Sequence, residues 1–140
     1  MTDELYHAAL VDLARAGRTR GRLARADRSV TLDNPLCGDR VTLDLALERG
    51  RVAEVGHKVR GCLLCEAAAE TIAAHAPGKS AADLANAGAA VAAVVKEGAP
   101  APEGEWSALA VFSPVYQVKS RRDCVLLPFE ALEKALTQTS

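Results

Sequence analysis

The sequence predicts an α+β fold: a three-stranded antiparallel meander packed against a run of helices. Three observations predict it. Apolar and polar residues alternate between Ser29 and Arg60, the period of half-buried strands. The two clearest strands there are separated only by Arg49-Gly50, a connection so short that they must run antiparallel. At Gly61 the period changes, and from Cys62 onward apolar residues recur at helical spacing. Strands first and helices after is an α+β order.

Each element has its own signal. Leu5, Ala8, Ala9, Leu13 and Ala16 fall near one face at helical spacing, which predicts a first helix ending at Gly17. Gly17 to Arg25 is then a basic linker. Ser29 to Asp33 predicts a first strand, with Val30 and Leu32 on one side. Arg40 to Glu48 predicts a second, with Val41, Leu43, Leu45 and Leu47 on one side. Arg51 to Arg60 predicts a third, carrying Val55 and Val59. Cys62 to Ala76 reads as a helix closed by Pro77-Gly78. Ser80 to Asp83 resembles a capping box with Asp in place of Glu, and Leu84, Gly88, Val91 and Val95 mark the face of the helix that follows. Glu97 to Glu105 is a loop, and Trp106 to Phe112 a short helix. A last helix places Val125, Phe129, Leu132 and Leu136 on one face, with Pro128 expected in its first turn.

The whole-chain numbers bound the function classes. At 140 residues and 49% apolar composition, residues 1–140 suffice for one domain with a core of its own. The net charge is −1, which gives no reason to expect nucleic acid as partner. The start, Met1-Thr2-Asp3-Glu4, is acidic and does not read as a secretory signal. No apolar run reaches the length of a membrane span; Ala81 to Val95 comes nearest and is interrupted by Asp83 and Asn86. The expectation is a cytoplasmic chain whose four cysteines are reduced and serve metal binding, sulfur chemistry or packing.

The placement of those cysteines carries the chemistry. Asn34-Pro35-Leu36-Cys37-Gly38-Asp39 lies between two strand signals and is rich in turn formers, so Cys37 stands on an exposed tip with a carboxylate two residues away. Thiolate beside carboxylate suits zinc or iron. Cys62 sits where the third strand hands over to a helix, and a helix N-terminus favours an anion. Cys124 opens the last helix behind Lys119, Arg121 and Arg122. Together with Asp39 these make a site of three sulfurs and one oxygen; the bland reading is three unrelated cysteines, each filling a small apolar space.

Asn-Pro-x-Cys-Gly-Asp, then Gly61-Cys62 after the third strand, then Cys124 at the final helix resembles the signature of the iron–sulfur cluster assembly scaffolds, the IscU, NifU N-terminal and SufU family. The resemblance spans nearly the whole chain, with Leu5-Tyr6, Asp12, Arg18 and Gly21 matching the family's N-terminal helix and turn. It implies a SufE/NifU-like fold. It also implies a metal or cluster held by Cys37, Asp39, Cys62 and Cys124, with Cys37 as sulfur acceptor and Arg121 in support. Zn²⁺ or iron as a [2Fe–2S] cluster are the implied cofactors. A cysteine desulfurase and Fe–S acceptor or carrier proteins are the implied partners, for a monomer or weak dimer. Cys62 and Cys124 are 62 positions apart (124 − 62), the longer spacing of the SufU branch. Arg121 three residues before Cys124 agrees with that branch. So does the lack of the Leu-Pro-Pro-Val-Lys segment and of the His before the last cysteine, where Asp123 stands. The chain departs from the family at Leu13 to Arg18, where His-Tyr-x-Asn-Pro-Arg is usual, and at Cys65, where a small residue is usual.

Other residues are weighed beside these. Cys65, one turn into its helix, reads as apolar filler, against a resolving thiol of a Cys-x-x-Cys pair. His57 alternates with Val55 and Val59 and reads as packed against the sheet's neighbours; His75 reads as structural at a helix C-terminus, and His7 has no companion. Glu66 and Glu70 share a helix face without a visible substrate pocket. The run Arg15, Arg18, Arg20, Arg22, Arg25 and Arg28 reads as a solvated face or a dock for an acidic partner. Two functions share the same four ligands: a scaffold that accepts sulfur and builds a cluster, and a zinc-dependent sulfurtransferase that relays persulfide sulfur. A dithiol oxidoreductase on Cys62 and Cys65 would want a βαβ context, and a purely structural zinc module would not need the Cys37 tip.

Overall fold

The structure is a computed structural model that describes residues 2–36 and 38–137, with side chains from residue 7 onward. Helix α1 (Thr2–Arg20) leads into strands β1 (Arg28–Asn34), β2 (Asp39–Glu48) and β3 (Arg51–Arg60). Helices α2 (Leu63–His75), α3 (Ala81–Glu97) and α4 (Arg122–Thr137) follow, with a run of 3₁₀ turns over Gly104–Gln117 and a shorter one over Lys119–Arg121 before α4. The sheet is an antiparallel meander in the order β1-β2-β3.

Local chemistry explains the strands. The β2–β3 turn needs positive φ at both central residues to match strand twist, and Arg49 (φ 53°) and Gly50 (φ 77°) adopt it. A register shift between Ala46 and Leu47 then sets the pairing of the buried faces: Val41, Leu43 and Leu45 all turn to the core and are fully buried, opposite Val59, His57 and Val55. Burying each such aliphatic side chain stabilises the fold by about 1.5–3 kcal/mol.

Helix α2 is the centre of the molecule. Every residue from Leu64 to Ala73 is buried, because α1, β3 and α4 all pack on it; a helix that is apolar nearly all round belongs in such a position. The expected capping box at the start of α3 is present, with Ser80 Oγ accepting from the Asp83 N–H (3.2 Å) and Asp83 accepting from the Ser80 N–H. Gly98, with φ 71°, closes α3.

Four details differ from the sequence-based expectation. First, α1 does not stop at Gly17 but runs to Arg20, and Gly21 (φ 73°) ends it. Gly17 is there for contact: a Cβ on it would sit 3.0 Å from Glu66 Oε1 and 3.2 Å from His57 Cε1. The buried stripe of α1 is accordingly Leu10, Ala14 and Gly17, while Ala8 and Ala16 face out. Second, α3 buries Ala87 and Val94 rather than Gly88. Third, the segment expected as a short α-helix over Trp106–Phe112 is 3₁₀ and longer. Leu109, Phe112 and Val115 are buried and recur every third residue, with Trp106 half-buried at the same interval. That spacing stays in line at three residues per turn and would drift at 3.6. Fourth, Pro128 lies beyond the first turn of α4, among buried residues, where it offers no N–H to the carbonyl of Cys124, four residues back.

Candidate metal centre

The centre lies where β2, β3, α2 and α4 meet. Asp39 is the first residue of β2, Cys62 the N-cap of α2, and Cys124 sits in the first turn of α4. Register explains the first pairing: Arg40 is opposite Arg60, so the start of β2 runs beside the exit of β3. The Cys62 N–H donates to Asp39 Oδ1 (3.0 Å), and the Cys62 thiol lies 3.5 Å from Oδ2. The carboxylate therefore serves as the side-chain acceptor that Cys62 itself does not supply for the α2 N-terminus. Gly61 makes room for this. A Cβ there would overlap the Asp39 carboxylate, so the Gly-Cys pair is a steric requirement of the site.

Asp39, Cys62 and Cys124 each present one ligand atom, and these atoms all lie within 4.8 Å of one another. Asp39 and Cys124 are buried and Cys62 half-buried. None of Cys62, Cys65 and Cys124 is in a disulfide. Two thiols and a carboxylate at such separations fit zinc or iron. Arg121 reaches the same sulfurs. Its pKa is raised, first by hydrogen bonding to Cys62, against the opposing effect of burial, and then by hydrogen bonding to Cys124. Its cation balances the negative charge of thiolate ligands.

The fourth expected ligand, Cys37, lies outside the described residues. Its flanks are described. The Leu36 N–H donates to Asn34 Oδ1 (3.0 Å), the Gly38 N–H to the Asn34 carbonyl (2.8 Å), and Gly38 takes φ 75°. Asn34 thus folds the segment into a tight turn, on which Leu36 is 92% exposed.

The remaining expectations separate cleanly. Cys65 is fully buried in the apolar core, as filler should be. His75 pairs with Glu105 (3.2 Å) and packs on Trp106, a structural arrangement. The arginine run is not one solvated face. Arg20 forms a two-pronged pair with Glu70 (2.7 and 2.8 Å), and Arg22 does the same with the fully buried Asp44 (2.9 Å on each oxygen). Both fasten the linker between α1 and β1, which crosses so close to β3 that a Cβ on Gly56 would meet the Leu23 amide at 2.7 Å.

A second polar cluster was not anticipated. His57 is buried, with Nε2 3.1 Å from Glu70 Oε1 and Nδ1 3.9 Å from Glu66 Oε1. Burial acts to raise the Glu70 carboxyl, but Arg20 and His57 override it and hold it at about 2. Burial raises the Glu66 carboxyl, and His57 and Arg18 only partly offset that. Glu66 and Glu70 lie one turn apart on one face of α2, so the packing that buries one buries the other.

Comparison with known proteins now bears on this geometry. A model of the NifU-like N-terminal domain matches residues 5–138. The chain belongs to the NifU-like N-terminal domain family. One curated relative, the iron–sulfur cluster assembly scaffold protein IscU of Thermotoga maritima, is 26% identical over 136 residues, covering 97% of this chain and 95% of its own. A crystal structure of a nitrogen-fixing NifU-like protein (N-terminal) from Brucella abortus superposes with a TM-score of 0.87 at 32% identity, over 97% of this chain and 94% of that one. A putative scaffold protein for the SUF system from Fervidobacterium islandicum shares the fold, with a TM-score of 0.83 at 23% identity over 91% and 93% of the two chains. The three-stranded meander with its helices is thus the fold of this scaffold family. Among the described residues, no helix is long and apolar enough to cross a membrane.

Proposed function

We propose that this NifU-like protein accepts sulfur on Cys37 from a cysteine desulfurase and holds iron, or the nascent cluster built from it, through Cys37, Asp39, Cys62 and Cys124. The observation that carries this reading is the approach of Asp39, Cys62 and Cys124 to within 4.8 Å, with Asp39 two residues along the chain from Cys37. Sulfur transfer requires two proteins' sulfurs to touch, which an exposed turn permits. In the step itself, the Cys37 thiolate attacks the terminal sulfur of the donor's persulfide. The donor S–S bond breaks, the donor leaves as a thiolate, and the new S–S bond stands on Cys37. Iron is cargo here. Asp39 supplies a harder ligand than thiolate, which loosens the hold on a cluster that must be passed on.

The same donors support zinc-dependent persulfide relay, and the 62-position separation of Cys62 and Cys124 favours it. Protein purified without oxygen distinguishes the two. Incubation with a desulfurase, cysteine and iron should give a chromophore in the visible range and persulfide label on Cys37, both absent in Cys37→Ser. Tightly bound zinc, persulfide label and no chromophore would establish the relay. Label and chromophore unchanged in Cys37→Ser would refute both.

A further inference from the structure

A groove of about 630 Å³ runs between α3 and α4, on the length of α4 that follows Cys124. Its α3 wall is made of small residues, among them Ala85, Ala89 and Ala92, with Gly88 between them; a Cβ on Gly88 would meet nothing within 4 Å. Phe129, nearly buried, and Leu136, half-buried, line the α4 wall. A smooth wall facing a ridge of larger side chains is the surface on which another helix packs at close approach.

The rim adds a sign. Glu130 and Glu133 of α4 face Lys96 of α3 across the groove, two carboxylates against one ammonium. Burial raises the Glu130 carboxyl, Asp123 and Glu133 push it in the same direction, and Lys96 only partly opposes them. The rim is short of positive charge.

We propose that the α3–α4 groove is a docking site for an amphipathic helix of a partner protein, one whose apolar stripe is flanked by lysine or arginine. A second copy of this chain does not offer that helix among its described residues. Helix α1, which carries arginines toward its C-terminal end, already turns Leu10, Ala14 and Gly17 inward and is tied to α2 by the Arg20–Glu70 pair. The large apolar side chains left exposed, Leu36, Tyr116 and Val118, lie on no α-helix. The site stands independently of the sulfur chemistry proposed for Cys37.

The test uses the full chain and a fluorescent synthetic helix about the length of α3, with a leucine and alanine stripe flanked by lysines. Fluorescence anisotropy should give a saturable one-to-one isotherm. Glu130→Gln with Glu133→Gln should weaken it about tenfold at low salt and less at high salt. Gly88→Leu, which fills open space, should abolish binding at unchanged thermal midpoint and metal content. Equal binding of the same peptide with glutamates for lysines would overturn the charge argument. Unweakened binding to Gly88→Leu would overturn the location. Micromolar self-association abolished by Gly88→Leu would assign the groove to a second copy and overturn the proposed occupant.

Discussion

Two polar clusters share helix α2, and they differ in how their charges are met. At its start, Cys62 stands beside Asp39 and Cys124, with Arg121 as the cation against the sulfurs. One and two turns deeper, Glu66 and Glu70 surround His57, and Arg20 closes on Glu70 from α1. The deeper cluster is satisfied largely from within: a carboxylate at about 2 beside a guanidinium and an imidazole is a finished ion pair. The outer cluster gathers two soft sulfurs and an oxygen whose ligand atoms lie within 4.8 Å of one another, with Arg121 set against the sulfurs and a turn bearing Leu36 exposed beside it. The difference separates a site that fastens the fold from one left open to a ligand. Proximity of acidic and nitrogen or sulfur groups does not distinguish them, and an arginine stands at each; the donor type does, since thiols beside a carboxylate suit a metal whereas two carboxylates beside an imidazole and a guanidinium suit each other.

Removing one side chain from each cluster separates the two roles. The largest effect is expected at the outer one. Cys124→Ser should lower metal affinity by about a hundredfold or more in chelator competition, since serine is a poor ligand at neutral pH, while the thermal midpoint of the metal-free protein stays close to wild type. A collapse of that midpoint, with affinity retained, would reverse the assignment.

Glu70→Gln tests the inner cluster. It should destabilise the protein by about 3 kcal/mol in denaturant unfolding, because Arg20 and His57 lose their partner in a buried setting. The sign of the pH dependence follows. The folded-state pKa of Glu70 is depressed to about 2, so its contribution is present in full above the unfolded carboxylate range near 4.5 and fades as pH falls from there toward 2. The variant should lose that part of the acid limb and keep the remainder. An unchanged acid limb would show that Arg20 and Glu70 add nothing to folding.

The smallest effect is expected at Cys65, which lies between the clusters on the same helix. Cys65→Ser should cost about 1–2 kcal/mol by placing a hydroxyl in apolar surroundings, and should leave metal content and persulfide labelling as in wild type. Loss of labelling equal to that of Cys37→Ser would make Cys65 part of the sulfur chemistry and erase the boundary between the clusters.

The outer cluster was legible in the sequence because its residues sit at element ends, where motifs are local. Asn34 ends β1 and Asp39 begins β2, Gly61-Cys62 is a strand–helix junction, and Cys124 a helix start; the resemblance to the scaffold family then joined them. The inner cluster was harder to read. His57, Glu66, Glu70 and Arg20 come from three elements, and each alone reads as a surface or packing residue. Gly17 shows the same limit, since a glycine at the end of a helical pattern signals a stop. Only the approach of α1 to α2 and β3 reveals that its missing side chain makes room for Glu66 and His57.

Periodicity and turn chemistry by themselves determined the antiparallel meander, the capping box at Ser80 and the order of the helices, because these rest on neighbours within a few residues along the chain or directly across a hairpin. The register shift between Ala46 and Leu47 was left to the packed sheet. Tertiary structure decided what depends on distant segments meeting. The 3₁₀ form of Gly104–Gln117 is set by where its three-residue apolar stripe lands on the core. The arginines of the first linker became anchors because Glu70 and Asp44, 50 and 22 positions away, are buried beneath them and need a cation. Burial of charge is a property of the packed whole, so the partners of Arg20 and Arg22 could be named only once the chain was folded.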